Sequence, residues 1–237
     1  KGYMQDDRMA NQDERLVRWG ILSTARINKA LLGPLRTSPR STLAAVASRG
    51  RFKARSYAIP NWIPRAHRSY EAHLSEPDID AVYISLPNHL HCEWTVAAAE
   101  SGKHVLCEKP LVLDLEEMDR VEAAAKKHGV TIFEAFMYLH HPQTLRVREM
   151  VRQGALGDLQ SLRSHFGFHL AADSGNVRLA PEMGGGSLWD VGVYPVSLSV
   201  VMAGAGAPLG VVGHGGVGVA GGESACEGRL RGAGVGW

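Results

Sequence analysis

The chain has 237 residues, 45% hydrophobic and 21% charged, with a formal net charge of +2. That is an ordinary globular composition with room for one large or two small domains, and the small net charge gives no reason to expect a nucleic-acid or membrane partner. No apolar run approaches the ~20 residues that span a bilayer, and the scattered Cys92, Cys107 and Cys226 show neither metal-ligand spacing nor a disulfide framework, which suits a reducing, cytoplasmic setting without a bound metal.

Residues 1–15 are polar and charged, lack the apolar core of a signal peptide, and read as a disordered leader. Val17–Leu22 reads as a strand, with a helical pattern following from about residue 26. The link Ser23-Thr24-Ala25-Arg26-Ile27-Asn28 stands where a dinucleotide-binding fold places its G-x-G-x-x-G/A turn. Ser23, Ala25 and Asn28 occupy the glycine positions. Ser and Ala are the smallest side chains after Gly, so the backbone can still approach a pyrophosphate, and the N–H groups at the helix start remain an anion site. Pro34 is expected to kink or shorten that helix.

Residues 43–47 read as a second strand, ending in Ser48-Arg49-Gly50-Arg51-Phe52-Lys53. In a dinucleotide fold this end faces the adenosine ribose, where an acid holds the 2′-hydroxyl of NAD and an arginine accommodates a 2′-phosphate. The stretch has cations and no acid, so Ser48, Arg49 and Lys53 favour NADP over NAD. Residues 69–74 read as a short helix and 81–86 as a buried strand. At its end lies Leu86-Pro87-Asn88-His89-Leu90-His91. Asn88 is a good N-cap for the next helix, and His91, in its first turn, can point at the cleft, although a lone histidine at such a place is more often structural.

The chain is organised around His104-Val-Leu-Cys-Glu108-Lys109-Pro110-Leu111. A strand buried on both faces has no reason to carry Glu and Lys inside it, so Glu108 and Lys109 belong at its carboxyl end, where open α/β sheets bind ligands. Pro110 turns the chain just after the lysine. Asp114 and Glu117 form a capping box for a helix over 115–128, stopped by Gly129, and 130–136 reads as the sixth strand. Alternating strands and helices give a doubly wound parallel α/β sheet.

Residues 142–153 read as a helix. Residues 159–170 read as a long strand with one exposed face, the mark of a second domain. A glycine-rich loop over 181–186 leads to Ser187-Leu-Trp-Asp190-Val-Gly-Val-Tyr194-Pro195 and an apolar helix ending near Gly204. Asp190 and Tyr194, four apart, share a helix face. Eleven of the 29 residues from 209 to 237 are glycine. Glycine weakens strands, so this tail is expected to be irregular, an aberrant or early end or a flexible linker, leaving 159–170 short of partners. The expected organisation is a leader over 1–15, a Rossmann domain over 16–138, a partial C-terminal domain over 139–208 and the tail over 209–237.

Taken together, Arg18-Trp-Gly-Ile-Leu-Ser-Thr-Ala-Arg-Ile27, Leu86-Pro-Asn-His-Leu-His91, Cys107-Glu-Lys-Pro-Leu111, Glu134-Ala-Phe-Met-Tyr138 and Gly184-Gly-Gly-Ser-Leu-Trp-Asp-Val-Gly-Val-Tyr194 strongly resemble the Gfo/Idh/MocA oxidoreductases, over about residues 17–208. The likeness is greatest to the branch holding glucose–fructose oxidoreductase and dimeric dihydrodiol dehydrogenase. Leu139 departs from the pattern, standing where relatives often read Arg. The resemblance implies a Rossmann domain followed by an α/β domain with an open-faced antiparallel sheet, here incomplete, and full-length relatives that are homo-oligomers. It implies NAD(P)-dependent hydride transfer on a sugar, polyol or dihydrodiol, with Lys109 as catalytic lysine, Tyr194 as catalytic tyrosine and Asp190 as the aspartate of the same motif. A lysine ammonium near Tyr194 is expected to lower its pKa toward neutral. The cofactor contacts expected are Ser23, Thr24, Ala25, Arg26, Ile27, Ser48, Arg49, Lys53, Leu86, Pro87, Asn88, His91, Glu108 and Lys109. The competing expectation is a cofactor-binding but inactive member, or a fragment.

Overall fold

In the computed structural model, which describes residues 16–171, 175–204, 210–217 and 223–231, six strands build one parallel sheet. They are β1 (Val17–Leu22), β2 (Ser41–Ala47), β3 (Arg65–His67), β4 (Ala81–Ile84), β5 (His104–Cys107) and β6 (Ile132–Glu134). Their order, β3-β2-β1-β4-β5-β6, is the doubly wound one that the alternating pattern implies. The helices between them are α1 (Lys29–Thr37), α2 (Arg51–Ala58), α3 (Tyr70–Leu74), α4 (His91–Glu100) and α5 (Leu115–His128), and α6 (Pro142–Arg152) follows the sheet. Residues 1–15, read as a leader, lie outside the described residues.

The central strands bury both faces, which is why they read as nearly continuous apolar runs. Ile21, Val46 and Tyr83 pack in one layer with Leu32 and Leu35 of α1. Leu22, Ala45, Val82 and Ile84 pack in the other with Ala98 of α4. Alternation assigns successive side chains to opposite layers, except at the irregularity in β2, where Leu43 and Ala45 fall in opposite layers. The expected caps of α5 are present: Asp114 Oδ1 accepts from the Glu117 N–H at 2.7 Å, and Gly129 ends the helix at a φ of 64°. The pattern named neither α2 nor β3. Pro34 lies inside α1, which continues to Thr37.

Beyond α6 two expectations need correction. Residues 159–170 form no ladder among the described residues and pack on α7 (Val193–Ala203) instead. Ser164 Oγ donates to the Pro195 carbonyl at 3.4 Å, and the Phe166 ring meets Tyr194. The tail is also more regular than its glycines suggested. β7 (Gly210–Val217) and β8 (Glu223–Arg231) pair antiparallel, with Gly213 opposite Gly228. Glycine weakens an extended chain without forbidding it, and β8 has one glycine against four in β7. The rest of that tail, residues 209, 218–222 and 232–237, lies outside the described residues.

The reading that no apolar run is long enough for a membrane also needs amending. By length and composition residues 181–203 reach that threshold, at a mean hydropathy of 1.2. The run is interrupted, however, by a 3-10 turn over Pro181–Met183, left-handed Gly184 and a π-helical turn over Leu188–Gly192. Its Asp190 is ion-paired to the loop after β5.

Candidate active site

The carboxyl ends of β1, β4 and β5 bring the first group of expected residues together. Ser23 ends β1 at a φ of 118°, a glycine-like conformation that a serine adopts only under constraint. Its neighbours supply that constraint. The Ser23 and Ser85 hydroxyls lie 2.8 Å apart, and the Ala25 N–H donates to Ser23 Oγ at 3.1 Å. Ser85 Oγ donates to Asn28 Oδ1 at 2.5 Å, and Asn28 Nδ2 donates to the Ser23 carbonyl at 3.1 Å. Asn28 is fully buried. Each of the three side chains donates to another member of this ring, so a polar lock replaces the conformational freedom of the missing glycines. Thr24 and Ala25 are half-buried, and Arg26 and Ile27 are exposed on the outer lip of the turn. As first residues of a helix, Arg26 and Ile27 have N–H groups with no intrahelical acceptor. Replacing Asn28 by alanine is expected to strand the Ser23 carbonyl and to leave the Ser85 hydroxyl with Ser23 Oγ alone, at a cost of roughly 1–3 kcal/mol. Urea unfolding and NADP titration of Asn28→Ala check this, and unchanged values in both would contradict the lock.

At the end of β2, Arg49 and Lys53 stand exposed, but Ser48 is buried. Of the three residues expected to meet a 2′-phosphate, only the two cations are openly placed. Between residues 16 and 70 the chain carries eleven Lys and Arg and no Asp or Glu. Residues 71–134 carry thirteen acids against five Lys and Arg. The strand order assigns these stretches to opposite halves of the sheet, so the β3-β2-β1 half is positive. Arg18 with Asp80, and Arg65 with Glu76 and Asp78, pair across that boundary.

The loops after β4 and β5 carry the second group, and three expectations change there. Asn88 does not cap α4; its Nδ2 donates to the Gly184 carbonyl at 2.8 Å. Leu86 turns its side chain into the core, and Pro87 is half-buried beside it. His91 does not face the cleft. It is fully buried, with Nδ1 2.6 Å from the Pro110 carbonyl and Nε2 2.8 Å from the Leu86 carbonyl. Glu108 accepts from the Tyr83 hydroxyl at 2.5 Å, and burial raises the Tyr83 pKa above the ordinary range. Glu134 at the end of β6 accepts from the Leu111 N–H at 2.8 Å and is itself pushed up by burial.

Lys109 joins the two parts of the chain. Its Nζ donates to the Asp190 carbonyl and lies 3.3 Å from Asp190 Oδ1, with both side chains largely buried. The same ammonium sits 5.2 Å from the Tyr194 ring centroid, in cation–π range. Tyr194 is packed edge-on against Phe136, Tyr138 and Phe166. Burial, then Glu108 and Asp190, raise its pKa above that of an ordinary tyrosine. The expectation that a cation draws Tyr194 toward neutral is therefore corrected: the ammonium faces the ring, and a neutral phenol is held. Arg178 Nε closes the other side of Asp190 at 2.8 Å. The Gly184–Gly185 loop that precedes Asp190 needs glycine. A Cβ on Gly184 would meet Leu113 and Asn88 within 3 Å, and one on Gly185 would meet three carbonyl oxygens within 2.8 Å.

The sequence reading missed Tyr83, Ser85, Phe166 and Arg178. Ser85 adjoins a stretch already singled out; nothing local marks Arg178, which reaches Asp190 only through the turn Val177–Leu179. Among the described residues no group of three or more His, Cys, Asp or Glu is placed to hold a metal.

The profile of the oxidoreductase family with an NAD-binding Rossmann fold (Gfo/Idh/MocA) matches residues 17–136, and that of the GFO/IDH/MocA C-terminal domain matches residues 144–230. The chain is 43% identical over 186 residues to D-xylose 1-dehydrogenase (NADP(+)) 2 of Haloferax volcanii, covering 78% of this chain and 57% of that protein. It is 36% identical to trans-1,2-dihydrobenzene-1,2-diol dehydrogenase of Xenopus laevis, covering 76% and 54%. A 3-ketoreductase from Actinomadura kijaniata, solved with NADP and TDP-benzene, superposes with a TM-score of 0.76 at 35% identity, covering 84% of this chain and 60% of that one. An aldose-aldose oxidoreductase from Caulobacter crescentus, complexed with glycerol, gives 0.83 at 26% identity, covering 94% and 72%. The chain thus spans about half the length of the curated relatives it matches.

Proposed function

We propose NADP-dependent hydride transfer on a sugar, polyol or diol for this chain, which belongs to the Gfo/Idh/MocA oxidoreductase family. The observation that carries this reading is the fixed Lys109 ammonium, held by Asp190 against the Tyr194 ring at the carboxyl end of the sheet. An ammonium has three protons. Asp190 takes two of them, through its carbonyl and Oδ1, which leaves one N–H of Lys109 for a substrate oxygen. Tyr194, held as the neutral phenol, donates its proton to a carbonyl oxygen in the reductive direction; in the oxidative direction it must first lose that proton, and the phenolate then takes one from a carbinol. Arg178 and Asp190 keep the lysine from turning away.

The residues fit the dinucleotide. The locked turn at Ser23–Ala25 presents small side chains and the start of a helix to a diphosphate, and the positive half of the sheet suits its charge. Arg49 and Lys53 would hold a 2′-phosphate. NADP supplies the hydride acceptor when bound. The Haloferax volcanii relative carries NADP(+) in its name, and the ketoreductase was solved with NADP. Arg49→Ala is expected to lower the preference for NADP over NAD roughly tenfold to hundredfold, the worth of one charge-assisted contact of ~1.5–3 kcal/mol. Titration of wild type and variant with both cofactors checks this; equal affinity in the wild type would contradict it. The function itself is tested by screening aldoses and dihydrodiols for NADP reduction. Tight NADPH binding without turnover on any of them would point to an inactive binding member, and no binding would overturn the reading.

A further inference from the structure

His91 contributes no atom to the cleft, yet it closes a circuit through it. Its Nε2 meets the carbonyl of Leu86, two residues before Asn88, and Asn88 holds the Gly184 carbonyl. From Gly184 the chain runs to Asp190, whose N–H donates to the Gly186 carbonyl at 3.0 Å. Asp190 grips Lys109, and the carbonyl of Pro110, the next residue, meets His91 Nδ1. One imidazole thus ties the β4 loop to the β5 loop beneath the lysine.

Both of its partners are backbone carbonyls, which only accept. A neutral imidazole has one N–H, so its bare nitrogen would set a lone pair against a carbonyl lone pair at under 3 Å. Exchanging the ring's nitrogens for its carbons would lose both contacts. Burial lowers the ring's affinity for a proton, and the Lys109 ammonium adds to that; the two carbonyls and the Glu108 carboxylate oppose them. The net effect of these groups is a lowered proton affinity; against it stand two contacts of 2.6 and 2.8 Å to groups that only accept, which the doubly protonated ring alone satisfies together. We infer that His91 is a positioning residue that works as a buried imidazolium, donating from both nitrogens and so holding the Lys109 loop in register with the loop that anchors Asp190. The inference rests on the role assigned to Lys109 above.

Two readouts test it without any turnover. In ¹⁵N-histidine-labelled protein at pH 7, both His91 nitrogens are expected to carry protons; a bare nitrogen would overturn the inference. In His91→Gln, one amide cannot reproduce two opposed donors, so acylation of Lys109, followed by peptide mass spectrometry, is expected to speed up several-fold. Thr95→Val, in the same helix and equally buried, should leave that rate unchanged. Equal acceleration in both variants would mean mere loosening of α4 and would overturn the positioning role. Where turnover is measurable, His91→Gln is expected to lower kcat roughly tenfold to hundredfold and keep the NADP KM within threefold. Unchanged kcat would overturn it. If the wild type binds no NADP and turns nothing over, the proposed function fails, while ring protonation and Lys109 acylation still decide this inference. Should His91→Gln not fold, the wild-type ring measurement remains decisive.

Discussion

Lys109→Met is expected to lower kcat/KM by roughly 10²–10⁴ while NADP affinity stays within a few-fold. The reasoning starts from what the side chain does in the structure. Its stem crosses a largely buried passage and its ammonium meets Asp190 and the face of Tyr194. Methionine keeps the volume and removes the charge, so packing is retained while the one N–H left for a substrate oxygen is lost. The adenosine end, at Arg49 and Lys53, is untouched, hence the small effect expected on cofactor binding. Arginine is no substitute, because a planar fork cannot replace a compact three-donor ammonium in the same space. Tyr194→Phe isolates the proton-handling step. It keeps the ring contacts with Phe136, Tyr138 and Phe166, so a loss of similar size there is chemical rather than structural. Stopped-flow hydride transfer with both variants checks this. A Lys109→Met enzyme within fivefold of wild type would remove the lysine from the mechanism.

Tyr194 also sets a direction for the pH dependence. Burial and two nearby carboxylates hold its proton above the ordinary tyrosine value. A phenol that stays protonated through neutral pH is ready to donate, so carbonyl reduction should not lose activity through Tyr194 until beyond pH 10. Alcohol oxidation, which needs the proton removed, should keep rising with pH.

The Rossmann half was legible because each of its features has a short-range cause. Continuous apolar runs mark strands buried on both faces, Asp114 and Glu117 mark a helix start, and a charged pair after an apolar run marks a strand's carboxyl end. What stayed hidden depends on contacts distant in sequence. Nothing near Asn28 says that its amide answers for absent glycines; Ser85, 57 residues on, makes it so. Asn88 has the chemistry of a cap, and a carbonyl 96 residues away outbids the helix for its amide. The place of His91 in the first turn was legible and left both a cleft-facing and a structural reading open; the two distant carbonyls that make it structural were not legible. The segment over 159–170 alternates like a strand, but alternation selects a face and does not supply a neighbouring chain. It packs instead on α7 through Ser164 and Phe166.

The stability of the sheet should depend on one buried ring. His73 of α3 is fully buried, and among the described residues neither of its nitrogens has a hydrogen-bond partner. It stands edge-on to His67 and fills the space that a side chain on Gly20 of β1 would need; a Cβ there would lie 1.9 Å from Nε2. Burial, reinforced by His67, Arg65 and Lys103, drives its pKa from 6.5 to about 3. Because the folded value lies below the unfolded one, the unfolded chain binds more protons between them. Stability contributed by the neutral ring is therefore complete above pH 6.5 and declines as pH falls toward 3, by up to ~1.4 kcal/mol per pH unit. In His73→Leu the ring no longer titrates, so urea unfolding at pH 7 and pH 5 should show a smaller acid loss than in wild type. The same packing makes Gly20→Ala destabilising by roughly 1–3 kcal/mol, the usual cost of forcing a group into a filled core. In a His73→Ala background that cost should largely vanish, giving a coupling of comparable size. Additive effects of the two substitutions, or an acid slope unchanged in His73→Leu, would show that the ring and the glycine do not form one packing unit.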